Sequence, residues 1–206
     1  MNDALKSLVN LLELETLEET LFRGQSQDLG FPQLYGGQVL GQALAAAART
    51  VPDERRPHSQ HGYFLRPGDP HRPVVYQVDT IRDGGSFTTR RVVAIQHGKQ
   101  ILNLSASFQI REDQADVQEL EMPEGLPGPE ELARENWDEI LERRPVPTEG
   151  NRAACWLRVA GPLPDDPVTQ SCALAYTSDD IPTEAASASH PLAQSFADAP
   201  EAYGDT

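Results

Sequence analysis

Positive charge is scarce in this sequence. Seventeen lysines and arginines stand against 32 aspartates and glutamates, a formal net charge of -15. Such a surface repels phosphate backbones and anionic headgroups, so no nucleic-acid partner and no membrane partner are expected. Long apolar runs are also missing. No stretch approaches the roughly 18 consecutive apolar residues that a spanning helix needs. The first residues, MNDALKSLVNLLELE, carry acids inside their apolar stretch. They offer neither a basic leader nor a small-residue cleavage site, so no signal peptide is expected. Only two cysteines occur, Cys155 and Cys172. They form neither a disulfide framework nor a metal-ligand spacing, which predicts two buried thiols in a reducing cytoplasmic compartment.

With 206 residues, 38% of them hydrophobic, the chain can build one generous domain or two small ones. Residues 3–14 place Leu5, Leu8, Val9 and Leu12 on one helical face, with Asp3 as a cap. EETLFRGQSQ reads as a strand. YGGQVLGQALAAAART, residues 35–50, has helical apolar spacing at Val39, Leu40, Leu44, Ala47 and Ala48, and small residues on its other faces. A surface helix would carry a charged face, and this one has almost no charge before Arg49. A helix wrapped by a curved sheet is the simplest account. Four strand-like runs follow, at 58–66, 73–83, 86–96 and 99–110, with DGGS and QHGK between them as hairpin turns. Consecutive hairpins imply an antiparallel sheet, and the fold class expected is α+β.

Residues 112–150 are acidic, punctuated by proline and weakly helical, which suits a linker or a covering segment. The pattern of the first half then restarts. CWLRVAG is a strand, and PLPDDP turns into a helix with Asp166 at the cap and Pro167 at the first helical position. VTQSCALAYTSD repeats the small and apolar spacing of 37–49. Residues 180–206 are mostly Ala, Ser, Asp, Glu and Pro, too poor in apolar area to offset their ordering entropy. Four segments result: 1–111 as a first unit, 112–150 as linker, 151–181 as the start of a second unit, and 182–206 as a disordered tail.

Five blocks carry a resemblance to a known family. FRGQSQDLG, YGGQVLGQAL, HGYFLRPGDP, IRDGGSFTTRRVVAIQ and LRVAGPLPDD…LAYTSD resemble, in order and spacing, the bacterial acyl-CoA thioesterase II family. The likeness covers most of 4–110 and resumes over 155–179. It implies a double hot dog fold, two tandem halves that each wrap a long helix in an antiparallel sheet. It implies hydrolysis of fatty acyl-CoA to free acid and coenzyme A in lipid metabolism, and no metal or redox cofactor. A second sheet that ends early would leave a helix face and a strand edge uncovered, so a homo-oligomer is expected. The family's constellation is a carboxylate on the second-half helix with a hydroxyl and a glutamine from later strands. The carboxylate matches Asp179. The other two have no matching position, although the tail holds Thr183, Ser187, Ser189, Gln194 and Ser195. The expectation is a chain truncated or frameshifted after its catalytic aspartate, hydrolysing acyl-CoA at least about 10²-fold more slowly than a full-length relative.

A carboxylate can take the proton of an attacking water, a contribution of roughly 10²–10⁴-fold. An Asp at a helix end is otherwise an ordinary solvated residue. His58 and His61 flank the first-half strand, where a base, a phosphate contact and a purely structural role are all open. A dehydratase acting on acyl thioesters would use a strand histidine with a helix acid, and His58 permits it. Arg66, Arg72, Arg82, Arg90 and Arg91 are candidate phosphate contacts or solvated side chains. Gly36 and Gly37 suit either a phosphate cradle or a close helix–sheet approach. No G-x-S-x-G elbow occurs, and neither cysteine has a neighbouring histidine. A non-catalytic acyl-CoA-binding or regulatory module is the alternative to the enzyme.

Overall fold

The N-terminal leucines set the first element. In a computed structural model, which describes residues 3–113, 115, 117–135, 139–148, 152–180 and 182, helix α1 spans Asp3–Leu12 and buries Leu5, Leu8, Leu11 and Leu12. Each such leucine contributes roughly 1.5–3 kcal/mol on leaving water. Within the segment expected as a strand, residues 18–27, Leu21–Gly24 forms strand β2, and an unforeseen strand β1 (Glu15–Glu18) precedes it and pairs with it antiparallel.

Helix α2, Gly36–Ala48, is enclosed as its composition predicts. Ten of its residues are buried, and Ala43 and Ala46 have no exposed surface. Two of the buried residues are polar. Gln42 Nε2 donates to the carbonyls of Leu11 (2.7 Å) and Gln25 (2.8 Å), and its Oε1 accepts from the Tyr76 hydroxyl at 2.7 Å. Gln38 Oε1 accepts from the Gln27 amide, 2.9 Å. A satisfied buried network of this kind fixes one arrangement, because a missing partner would leave a costly unpaired group. It ties α1 and the 25–35 loop to α2.

Around α2 curve β3 (Arg55–Phe64), β4 (Val74–Asp83), β5 (Phe87–Gln96) and β6 (Lys99–Ile110). Every pairing is antiparallel, in the order β1-β2-β4-β5-β6-β3. The α+β class and the wrapped-helix architecture are therefore as expected. QHGK forms a tight turn in which His97 and Gly98 both have positive φ, 48° and 70°, the geometry that matches strand twist. Strand β3 starts three residues before the expected 58, and Pro57 is the reason. Proline argues against a central strand, but β3 is an edge strand, and its register shifts between Pro57 and Ser59.

The reading of 112–150 needs a correction. Within it, Leu141–Val146 forms strand β7, which pairs antiparallel with β8 (Ala154–Val159) in a two-stranded sheet. LERRPV hid the strand because its arginines and proline mask the period. Arg143 and Arg144 reach carboxylates, and Pro145 needs no ladder donor in so narrow a sheet. Only one 3-10 turn, Pro129–Glu131, represents the expected weak helicity among the described residues. The tail expected at 182–206 lies outside the described residues, except for residue 182.

Helix α3, Pro167–Thr177, starts as predicted. Pro167 is at the first helical position, and the Asp166 carboxylate accepts from the Thr169 amide at 2.8 Å and the Val168 amide at 3.4 Å. It packs antiparallel on α2 through Gly37 and Gly41. A Cβ at Gly37 would stand 2.1 Å from the Tyr176 carbonyl oxygen, and one at Gly41 2.9 Å from that of Cys172. Glycine four residues apart lets the two backbones nearly touch.

Candidate active site

The close approach of the two helices decides where Asp179 goes. Helix α2 begins without a side-chain cap, since its N-cap residue Tyr35 offers none. Its first amides need acceptors. Helix α3 ends at Ser178, beside that gap, and the next residue is Asp179. Asp179 Oδ2 accepts from the Gly37 amide at 2.9 Å, across 142 positions of sequence. The second-half carboxylate thus caps the first-half helix.

Three effects act on that carboxyl group. Burial opposes its charge and is the largest, the Gly37 amide favours the charge, and neighbouring Asp180 opposes it. The outcome is a pKa raised to about 6. At pH 7 the ionised form therefore predominates by roughly ten to one, and the group remains a competent proton acceptor near neutrality. The following residue is also held. The Asp180 side chain is fully buried, and Arg143 of β7 lies 3.3 Å from its Oδ2.

Gly36 makes room for the group. A Cβ there would fall 2.7 Å from Asp179 Oδ2 and 2.8 Å from the ring of Phe64. Gly36 and Gly37 therefore serve a helix–helix contact and a carboxylate. Of the two readings open for them, the close helix–sheet approach holds at Gly36, which lies against Phe64 of β3, whereas Gly37 meets α3 instead. Phe64 is 51% exposed, and Tyr63 and Leu65 beside it are exposed as well. Of these, Phe64 is the one on the Gly36 side of β3, and it gives the carboxylate an apolar neighbour open to solvent, while Tyr63 packs edge-on against His61 on the opposite face.

The other sequence candidates lie elsewhere. His58 is exposed, with Nε2 2.9 Å from Ser107 Oγ, and His61 is exposed with its ring 4.8 Å from that of Tyr63. Three residues separate His61 from Phe64, which puts the two on opposite faces of β3. His58, the histidine of the dehydratase reading, has its Nε2 on Ser107 and its ring 5.7 Å from that of Phe87, towards the opposite end of β3 from Phe64. Arg90 is buried and clamps the end of α2, donating to the Thr50 carbonyl at 2.8 Å and to Asp83 at 2.7 Å. Arg91 lies 3.5 Å from Asp79, and Arg66 donates to the Gln100 carbonyl at 2.8 Å. Burial pushes the Cys172 thiol up to about 12 and raises Cys155 as well, so neither is a nucleophile at neutral pH. A cavity of about 720 Å³ lies between the start of α1 and the β7–β8 hairpin, away from Asp179. Its walls carry Asp3, Glu139 and Glu142 against Arg134 and Arg158, a poor balance for phosphate. Among the described residues no cluster suits a metal ion. Thr183, Ser187, Ser189, Gln194 and Ser195 lie outside the described residues.

Sequence reasoning singled out Asp179 as a candidate and missed the groups around it. Tyr35, Phe64 and Arg143 carried no pattern of their own. The one available signal was the YGG triplet ahead of an uncapped helix, which leaves amides needing an outside acceptor.

The family model described as acyl-CoA thioesterase N-terminal domain matches residues 25–109, and the model described as acyl-CoA thioesterase matches residues 131–198. The second match runs 19 residues past Asp179 (198 minus 179), beyond the point where the five-block likeness ends. Acyl-CoA thioesterase 2 of Haemophilus influenzae is 38% identical over 206 aligned residues, covering 87% of this chain and 71% of that protein. Acyl-coenzyme A thioesterase 8 of Homo sapiens is 46% identical over 125 residues, and the match spans 39% of its length. The solved acyl-CoA thioesterase II TesB2 of Mycobacterium marinum superposes with a TM-score of 0.77 at 41% identity, covering 89% of this chain and 72% of that one. The tesB protein of Mycobacterium avium subs paratuberculosis gives 0.78 at 37%, over 88% and 72%. A hot dog protein from Alicyclobacillus acidocaldarius, 21% identical with a TM-score of 0.72, shares the fold. The chain is a hot dog protein. It belongs to the acyl-CoA thioesterase family.

Proposed function

We propose that this chain binds fatty acyl-CoA and hydrolyses its thioester, with Asp179 as the general base. One observation carries the reading. A half-buried carboxylate with a pKa of about 6 is fixed on a helix N-terminus, on the same side of Gly36 as the exposed ring of Phe64. Family membership supplies the substrate class.

The steps follow from the groups present. Asp179 takes a proton from a water, whose oxygen attacks the thioester carbonyl carbon. The tetrahedral intermediate collapses, the C–S bond breaks, and the leaving sulfur takes the proton back from Asp179. Acid and coenzyme A result, and the carboxylate is regenerated. The Gly37 amide holds the base in one orientation, which lowers the entropy cost of the proton transfer. A hydroxyl and a glutamine, implied by the resemblance, would hold the water in line. They are assigned to no described residue.

Two further points belong to this reading. The free thiols Cys155 and Cys172 suit a reducing cytoplasmic compartment, and the proposed substrate suits a role in fatty acid metabolism. The open edge of β3, with Tyr63 and Phe64 exposed at its end, suits association with a second copy as a homo-oligomer. No described helix is long and apolar enough to cross a membrane.

The test is release of free thiol from acyl-CoA by the chain and by Asp179→Asn. The expected result is saturable hydrolysis that falls by at least about 10²-fold in the variant. Equal rates in the two proteins would refute the assignment of Asp179. Tight acyl-CoA binding without turnover in either would identify a binding module instead.

A further inference from the structure

Three interactions meet at the junction of α2 and α3, and one side chain takes part in each. Tyr35 stands immediately before α2, as its N-cap residue. Its hydroxyl donates to the Tyr176 carbonyl at 2.9 Å, in the last turn of α3 and three residues before Asp179. Its ring meets the Tyr176 ring edge-on, with centroids 5.0 Å apart. It also lies against Gly37, where a Cβ would come within 2.5 Å of it. Tyr35 therefore touches both ends of the Gly37–Asp179 hydrogen bond, the donor through its ring and the acceptor's helix through its hydroxyl.

We infer that Tyr35 is a positioning residue that holds the Asp179 carboxylate on the Gly37 amide. The reasons are mechanical. The carbonyls in the last turn of a helix lack amide partners within it, and the turn frays unless something outside satisfies them. The Tyr35 hydroxyl does so for Tyr176. A part-buried tyrosine whose hydroxyl has a fixed acceptor is also stiffer than an apolar contact, because both its ring plane and its oxygen are constrained. A displacement of about 1 Å at the carboxylate would break a 2.9 Å hydrogen bond. Misplacement on that scale is costly for a reacting group. Among the described residues, charged groups facing the turn are Asp180, from the turn itself, and Arg143, from β7, which lie 3.3 Å apart. Neither reaches the Gly37 amide, so the coupling between Asp179 and Gly37 reports on the clamp.

The inference deepens the reading of Asp179 as the site's base, and its test uses no substrate. Failure of hydrolysis and failure of the clamp are therefore separate results. The Gly37 amide resonance is followed against pH in the uniformly 15N-labelled full chain. In the wild-type protein it shifts as Asp179 titrates, and in Asp179→Asn that shift disappears. In Tyr35→Phe, which keeps the ring and removes only the hydroxyl, the amplitude is expected to fall below half of the wild-type value while Asp179 is still present. A purely structural role would lower the melting temperature and leave the amplitude intact. Full amplitude in Tyr35→Phe therefore overturns the inference. If that variant does not fold, the wild-type chain decides: the Tyr35 ring resonances must move with the midpoint of Gly37, and a ring that stays still across that range overturns the inference too.

Discussion

Helices α2 and α3 are built from similar small residues, yet their N-termini are completed in opposite ways. Helix α3 completes its own, with Asp166 one position ahead accepting from Val168 and Thr169. Helix α2 starts at Tyr35-Gly36-Gly37, which offers no side-chain acceptor, and takes a carboxylate from the other half of the molecule. The two aspartates respond differently. Asp166 is exposed and its pKa is lowered, chiefly by the Thr169 hydroxyl. Asp179 is half-buried and its pKa is raised, chiefly by desolvation. A local cap stabilises its helix, whereas a borrowed cap in a dry setting remains able to exchange a proton near neutral pH. One helix end is thus closed from within its own segment, and the other is closed by a carboxylate brought from far along the chain.

The largest effect should come from breaking the enclosure that makes the two helices different. Helix α2 is buried on all sides, and α3 has Leu174 70% exposed. Ala43→Glu or Ala46→Glu places an unpaired charge where no surface is exposed, and a loss of about 3–5 kcal/mol is expected. Leu174→Glu on α3 should stay within about 0.5 kcal/mol. Urea titration monitored by far-UV circular dichroism checks both, and a tolerated Glu at position 43 would end the description of α2 as enclosed.

Next in size is the junction. Gly37→Ala drives a methyl group into the Tyr176 carbonyl and the Tyr35 ring, so the helices must part. A cost of about 1–3 kcal/mol is expected. Asp166→Ala removes only a local cap and should cost about 1 kcal/mol. If Gly37→Ala melts with the wild-type protein while Asp166→Ala does not, the two helices are not in contact through Gly37.

Most of this architecture could be read from the sequence, for a physical reason. The first half is held by local periodicity and by turns whose residues are specific to their geometry. The uncharged helix at 35–50, the His97–Gly98 turn and the Asp166–Pro167 helix start all announce themselves within a few positions. Asp179 was legible through the resemblance, since its own neighbours mark it only as a helix-end Asp. Its surroundings were not, because the Gly37 amide it accepts from lies 142 positions away, Tyr35 reaches Tyr176 across 141, and Arg143 reaches Asp180 across 37 (180 minus 143). Contacts at such separations leave no local period. Strand β7 was missed for a related reason, since Arg143 and Arg144 look solvated until Asp180 and Glu142 are in place.

The smallest expected effect sharpens the comparison most, because it predicts opposite signs at the two helix ends. Asp179 has a folded-state pKa of about 6, above its ordinary 3.8. Between those values the folded chain binds more protons than the unfolded one, so this group's contribution to stability falls as pH rises through that window and stays lost above it. Asp179→Asn removes that cost while keeping an acceptor for the Gly37 amide. At pH 7.5 the variant should therefore be more stable than wild type, by on the order of 1 kcal/mol once partial exposure is allowed for, or about 2–4 °C in Tm at this chain length. The advantage should vanish below about pH 4, where both states are protonated. Asp166 behaves in reverse. Its folded pKa lies below 3.8, so it contributes stability above that value and loses it as pH falls through the folded pKa. Asp166→Asn should be the less stable protein at pH 7.5, with the difference shrinking in acid. Thermal melts of the three proteins from pH 3.5 to 8 decide the matter. Two variants that deviate from wild type in the same direction would mean that the two helix ends are electrostatically alike, and that Asp179 is an ordinary cap.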